Sequence, residues 1–172
     1  MQSRIVAGVL ALVLAAGFGC ASSPPAAPDP GAVARAYAEA GRYIEASREI
    51  DIAVRTHPQN VALRLQAAEI HRKTGNIGKA VGHLEAALQL DATNAQAWLA
   101  LAEIEKGREN LADAYVAYRR ASELDPQSLR AVSGLALAAD QLGFAEEAEA
   151  AYARWAELEQ ELGVDSVPAS LD

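Results

Sequence analysis

The sequence predicts an all-α fold, a solenoid of about four helix-turn-helix units, on three observations. Alanine recurs at Ala46, Ala80, Ala114 and Ala148 with a constant step of 34 residues. Other positions keep the same register: Gly41, Gly75 and Gly143; Ile50, Leu84, Tyr118 and Tyr152; Ala53, Ala87 and Ala121. A period of that length, in small and bulky apolar residues together, means that each helical pair buries its face on the next. Secondly, no stretch alternates apolar and polar residues over the length of a strand. Thirdly, 51% of the chain is hydrophobic but only 5% is aromatic, so Ala and Leu build most of the core, as close-packed helices require.

The first 30 residues stand outside the period. Arg4 is the only charge before an apolar run from Ile5 to Phe18, followed by Gly19 and Cys20. A spanning helix needs roughly 17 to 25 apolar residues, so this shorter run reads as the core of a signal peptide over residues 1–19. Cys20 is the single cysteine and has no intramolecular disulfide partner. Residues 20–29 contain Pro24, Pro25 and Pro28 among alanines and serines, a composition that neither packs a core nor holds a helix. Extended like polyproline at about 3.1 Å per residue, ten residues span roughly 30 Å, which suits a tether.

The repeats then lie at about 27–60, 61–94, 95–128 and 129–162 within a domain at 30–162, with 163–172 a flexible tail. Asn60, Asn94 and Ser128 each close a unit just before an apolar-periodic stretch, and all are favoured N-cap types. In the first unit Asp29 reads as a displaced cap with Pro30 at the first helical position. The first helix of each pair is expected to end at Gly41, Gly75 or Gly143, where glycine supplies a left-handed turn residue without a Cβ penalty. The third unit has Glu109 at that place, and Asn110, one residue later, is the expected left-handed residue. Trp155 takes the position of Ala53, Ala87 and Ala121, as suits a last helix with no following neighbour.

These residues resemble the tetratricopeptide repeat. The third unit is the fullest copy, with Trp98, Leu101, Ala102, Ala114, Tyr118, Ala121 and Pro126 at consensus positions. The resemblance implies a right-handed superhelical solenoid whose first helices line a concave groove that binds protein or peptide partners. Carried over position by position, it implies a groove of Arg35, Leu65, Gln66, Glu69, Arg72, Lys73, Gln96, Leu99, Glu103, Lys106, Arg130, Leu137 and Gln141, with Ala38, Glu39, Ser133 and Asp140 beside them. Leu65, Leu99 and Leu137 would form an apolar stripe flanked by Arg72, Lys73 and Lys106, suited to a peptide with acidic character. The same charges, at intrahelical spacing from Glu69 and Glu103, also read as ordinary solvated pairs. The carboxylate clamp of the family's chaperone adaptors is absent, since its positions hold Gly31, Arg35, Gln66, Gln96 and Ala100.

Gly17-Phe18-Gly19-Cys20 resembles a bacterial lipobox, with Gly17 where that motif prefers Leu. The resemblance implies lipidation of Cys20 and a membrane anchor; Ala15 and Gly17 also fit ordinary signal-peptide cleavage, and an uncleaved anchor is the third reading. Ala21 after the cysteine implies delivery to the outer membrane, facing the periplasm.

Little in the chain points to chemistry. The formal charge of −8 opposes a nucleic-acid footprint, which needs a clustered basic face. His57, His71 and His83 share no i, i+4 spacing, so no metal site is expected: His57 reads as a helix-end residue, His71 as packing, His83 as surface or groove edge. Glu146, Glu147 and Glu149 read as a solvated face. No nucleophile elbow or phosphate loop occurs, so no enzyme, cofactor or small-molecule substrate is expected. The expected function is a lipid-anchored envelope adaptor that binds protein partners. Lipoproteins with these repeats in type IV and Flp pilus assembly are similar, and a scaffold for cell-wall or outer-membrane biogenesis enzymes is the alternative.

Overall fold

The computed structural model describes residues 29–163. The expected signal peptide, Cys20, the tether as far as residue 28 and the tail beyond Gly163 lie outside the described residues. Within them the chain forms eight α-helices and no strand: α1 Ala32–Glu39, α2 Tyr43–Thr56, α3 Val61–Lys73, α4 Ile77–Leu90, α5 Ala95–Gly107, α6 Leu111–Leu124, α7 Leu129–Gln141 and α8 Ala145–Leu162. Each helix packs chiefly on the one before it and the one after it, the quasi-one-dimensional contact pattern of a solenoid.

Two kinds of turn repeat along the stack. Within a pair, the first helix ends in a left-handed residue: Gly41 (φ 73°), Gly75 (φ 75°) and Gly143 (φ 78°). The N–H of the following residue reaches back to the carbonyl five residues earlier: Arg42 to Tyr37 at 2.8 Å, Asn76 to His71 at 2.8 Å, Phe144 to Ala139 at 2.9 Å. These bonds satisfy carbonyls that the helix end would otherwise orphan. Between pairs, a side chain caps the incoming helix. Asn60 Oδ1 accepts from the Leu63 N–H at 3.1 Å, Asn94 Oδ1 from Ala97 at 2.9 Å and Ser128 Oγ from Ala131 at 3.4 Å.

Two turns depart from the sequence expectation. In the third pair the left-handed residue is Glu109 (φ 64°), and Asn110 is ordinary at φ −82°. The hydrogen-bond register fixes this: Asn110 N–H must meet the Glu105 carbonyl, which it does at 3.0 Å, so the residue before it turns left whatever its side chain. At the entrance, Pro30 is not the first helical residue. Asp29 Oδ1 accepts from the Gly31 N–H at 2.9 Å, an Asx turn that carries the chain over Pro30 and delays α1 to Ala32.

The core forms three apolar clusters in sequence along the stack. The first joins Ala34, Ala46, Ile50, Leu63 and Ile70; the next joins Ala68, Ala80, Leu84, Ala97 and Ile104; the last joins Ala102, Ala114, Tyr118, Ala139 and Ala148. Ala46, Ala80 and Ala114 have no exposed surface; a larger side chain there would force the paired helices apart. No helix among the described residues is long and apolar enough to cross a membrane.

Candidate functional site: a groove along the first helices

The first helix of each pair turns one face away from the core, and three adjoining clefts run along these faces. The first, about 530 Å³, is lined by Arg35, Leu65, Gln66, Glu69, Lys73 and Gln96, with Tyr43 at its side. The second, about 260 Å³, is lined by Leu65, Glu69, Arg72, Gln96, Leu99, Glu103 and Arg130. The third, about 510 Å³, is lined by Glu103, Lys106, Arg130 and Leu137. Leu65, Glu69 and Gln96 serve the first two clefts, and Glu103 and Arg130 the second and third, so the three join into one groove. The structure therefore brings the family-derived groove positions together, apart from Gln141, which lines none of these clefts.

Tyr118 and Gly134 also line the third cleft, and sequence reasoning did not assign them to it. Tyr118 belongs to α6, a second helix, and reaches the groove side because Gly134 on α7 leaves room for its ring; a Cβ at residue 134 would collide with ring carbons. A glycine facing a repeat-core tyrosine was the available signal. His83, expected at the surface or the groove edge, lines none of these clefts; its side chain is only 17% exposed and lies against His71 and Asp51.

Most of the charges along the groove are paired. Arg72 donates to both oxygens of Glu69, at 2.7 and 2.8 Å, and that carboxylate holds the guanidinium above its ordinary pKa. Lys73 approaches the same Glu69 at 3.8 Å. Arg130 on α7 reaches across to Glu103 on α5, and Arg35 meets Asp29 at 2.7 Å. Of the three cations flanking the leucine stripe, Lys106 alone has no carboxylate partner among the described residues. The solvated-pair reading of Arg72 and Lys73 is thus the one the geometry favours. Exposed pairs of this kind contribute about 0–1 kcal/mol each, so an incoming ligand exchanges them at small cost. The Leu65, Leu99 and Leu137 side chains supply the apolar contact area between them.

A helical solenoid with a continuous groove on one face is a protein-interaction scaffold in class. More particularly, residues 61–104 match the model of the tetratricopeptide repeat family. Solved structures share the fold. A crystal structure of MamA is 18% identical with a TM-score of 0.72, over 77% of this chain and 77% of that one. MamA 41-end from Desulfovibrio magneticus RS-1 is 21% identical with a TM-score of 0.65, over 80% of this chain and 78% of that one. The first TPR of Spaghetti (RPAP3), bound to HSP90 peptide SRMEEVD, is 20% identical with a TM-score of 0.62, over 66% of this chain and 94% of that one. At such identities the likeness is one of fold. No curated protein matches the sequence.

Proposed function

We propose that this protein is a lipid-anchored adaptor of the cell envelope, holding segments of protein partners in its groove while a pilus or secretion machine is assembled. The observation that carries the binding role is the continuous groove with Leu65, Leu99 and Leu137 spaced along it. A structure of similar fold, the first TPR of Spaghetti (RPAP3), is bound to an HSP90 peptide, which supports the same reading. The envelope assignment rests on the apolar run Ile5–Phe18 and on Cys20. Two or three acyl chains, at about 0.8 kcal/mol per buried CH₂, anchor a protein firmly without a spanning helix.

Crosslinking in cells from groove positions, followed by identification of the captured proteins, tests the binding role. Leu65→Glu with Leu99→Glu is expected to abolish capture while circular dichroism shows unchanged helical content, because both side chains are only partly buried. Capture that persists in the double variant would place the interaction elsewhere. Secretin or pilin subunits among the partners support the assembly role; cell-wall synthases or hydrolases support the biogenesis scaffold. For the anchor, Cys20→Ser is expected to abolish lipid labelling and to change membrane partitioning, and partitioning unchanged with no lipid label in the parent would refute it.

A further inference from the structure

Three side chains from three helices converge away from the groove. His71 on α3 is 2% exposed, and its Nε2 lies 2.8 Å from Asp51 Oδ1 on α2. His83 on α4 stacks on His71, with ring centroids 5.4 Å apart and planes within 6°. Its Nε2 lies 4.0 Å from the same Asp51 oxygen. One ligating atom from each of the three residues falls within 4.8 Å of the others. We propose that Asp51, His71 and His83 form a binding site for a divalent transition-metal ion of the zinc class, joining the first two repeats.

The donor set suits that ion. Two imidazoles and one carboxylate are borderline-hard N/O ligands, and three protein ligands leave a fourth position for water. At metal–ligand distances of about 2.0–2.2 Å with tetrahedral angles, donor atoms sit roughly 3.3–3.5 Å apart. The separations from Asp51 Oδ1, 2.8 and 4.0 Å, bracket that value, and because the two rings lie within 6° of parallel, the less buried His83 ring must turn for both in-plane lone pairs to meet at the ion. Coordination at Nε2 displaces the hydrogen bond from His71 to Asp51, and the neutral ring then carries its proton on Nδ1. Nδ1 is buried with no hydrogen-bond partner, so its proton in the ligated form has no acceptor from the protein, and the three converging donor atoms alone carry the site. Lys79 holds the other carboxylate oxygen, Asp51 Oδ2, at 3.0 Å. It leaves Oδ1 to the ion and, being half-exposed, swings clear without repacking, which relieves its repulsion of the cation. Arg64, another cation whose charge acts on His83, is tied to the Pro58 carbonyl at 2.5 and 2.9 Å.

Nothing in the chain order announces the site, because its members lie on consecutive helices. An ion there would fix α2, α3 and α4 relative to one another, and so set the angle between the two repeats that flank the first cleft.

The full-length protein titrated with Co²⁺ is expected to show the strong visible ligand-field absorption of a four-coordinate N/O site, at one ion per chain, abolished by competing Zn²⁺. His83→Gln, at a partly exposed position, is expected to weaken binding at least about ten-fold with helical content unchanged. Asp51→Asn is expected to do the same, and Lys79→Ala to leave binding intact or tighten it. Three results would overturn the proposal: no four-coordinate spectrum at millimolar Co²⁺, undiminished binding in a folded His83→Gln variant, or an intense thiolate charge-transfer band assigning the ion to Cys20.

Discussion

Glu109 carries the cost of a turn designed for glycine. A left-handed conformation costs a residue with a Cβ about 1–2 kcal/mol, and here the neighbours offset part of it. The Glu105 side chain, 7% exposed, accepts from Asn110 Nδ2 at 2.6 Å and from Arg108 Nη1 at 2.8 Å, lacing the turn closed from inside. Glu109→Gly is expected to raise stability by about 0.5–1 kcal/mol, after the extra backbone entropy of glycine in the unfolded chain, as a higher Tm in thermal melts. Tyr118 sets a second expectation. Its phenol is pushed up to about 12, first by burial and then by the Glu103 carboxylate, from an ordinary value of 10.0. The raised value means that folding holds the proton more tightly, so this contribution is complete below pH 10 and is lost as pH rises through 12. Two pH units correspond to about 3 kcal/mol. Denaturant melts between pH 9 and pH 12 are expected to show stability falling over this window. Tyr118→Phe flattens the fall; an unchanged alkaline limb in that variant would contradict the burial argument.

Among the elements, α1 is the weak one. It has 8 residues and an N-cap, Gly31, with no side-chain hydrogen bond, and α2 is its principal packing partner. By contrast α5 has 13 residues, an Asn94 cap and neighbours on both sides, with Trp98 Nε1 donating to the Ala92 carbonyl at 3.0 Å across the preceding turn. Local opening free energy follows buried contact, so native-state hydrogen exchange is expected to be about ten-fold or more faster in α1 than in α5. Equal protection of the two would show that α1 is held by something besides α2. The helices themselves were legible in the sequence because caps and turn glycines repeat with the alanine period. Two terminations were not. Pro30 and Asn110 were assigned by residue preference, whereas the structure assigns those places by hydrogen-bond register, which preference does not encode.

For the whole molecule, the period explains why so much of the groove was readable. Leu65 and Leu99 occupy the same repeat position, so knowing one unit places the other. Arg130 and Tyr118 show where that reasoning stops: the contact of Arg130 with Glu103, and the path of Tyr118 past Gly134, depend on how neighbouring units meet. Asp51, His71 and His83 fall in the same category, since their meeting point lies between helices and has no period. The far end of the stack has its own logic. Trp155 occupies the position that Ala53, Ala87 and Ala121 hold in earlier units, stacked on Tyr152 at 6.0 Å and donating to Glu159 at 2.7 Å. Alanine at this position leaves room for a neighbouring helix to come close, whereas Trp155 fills that room with its own ring.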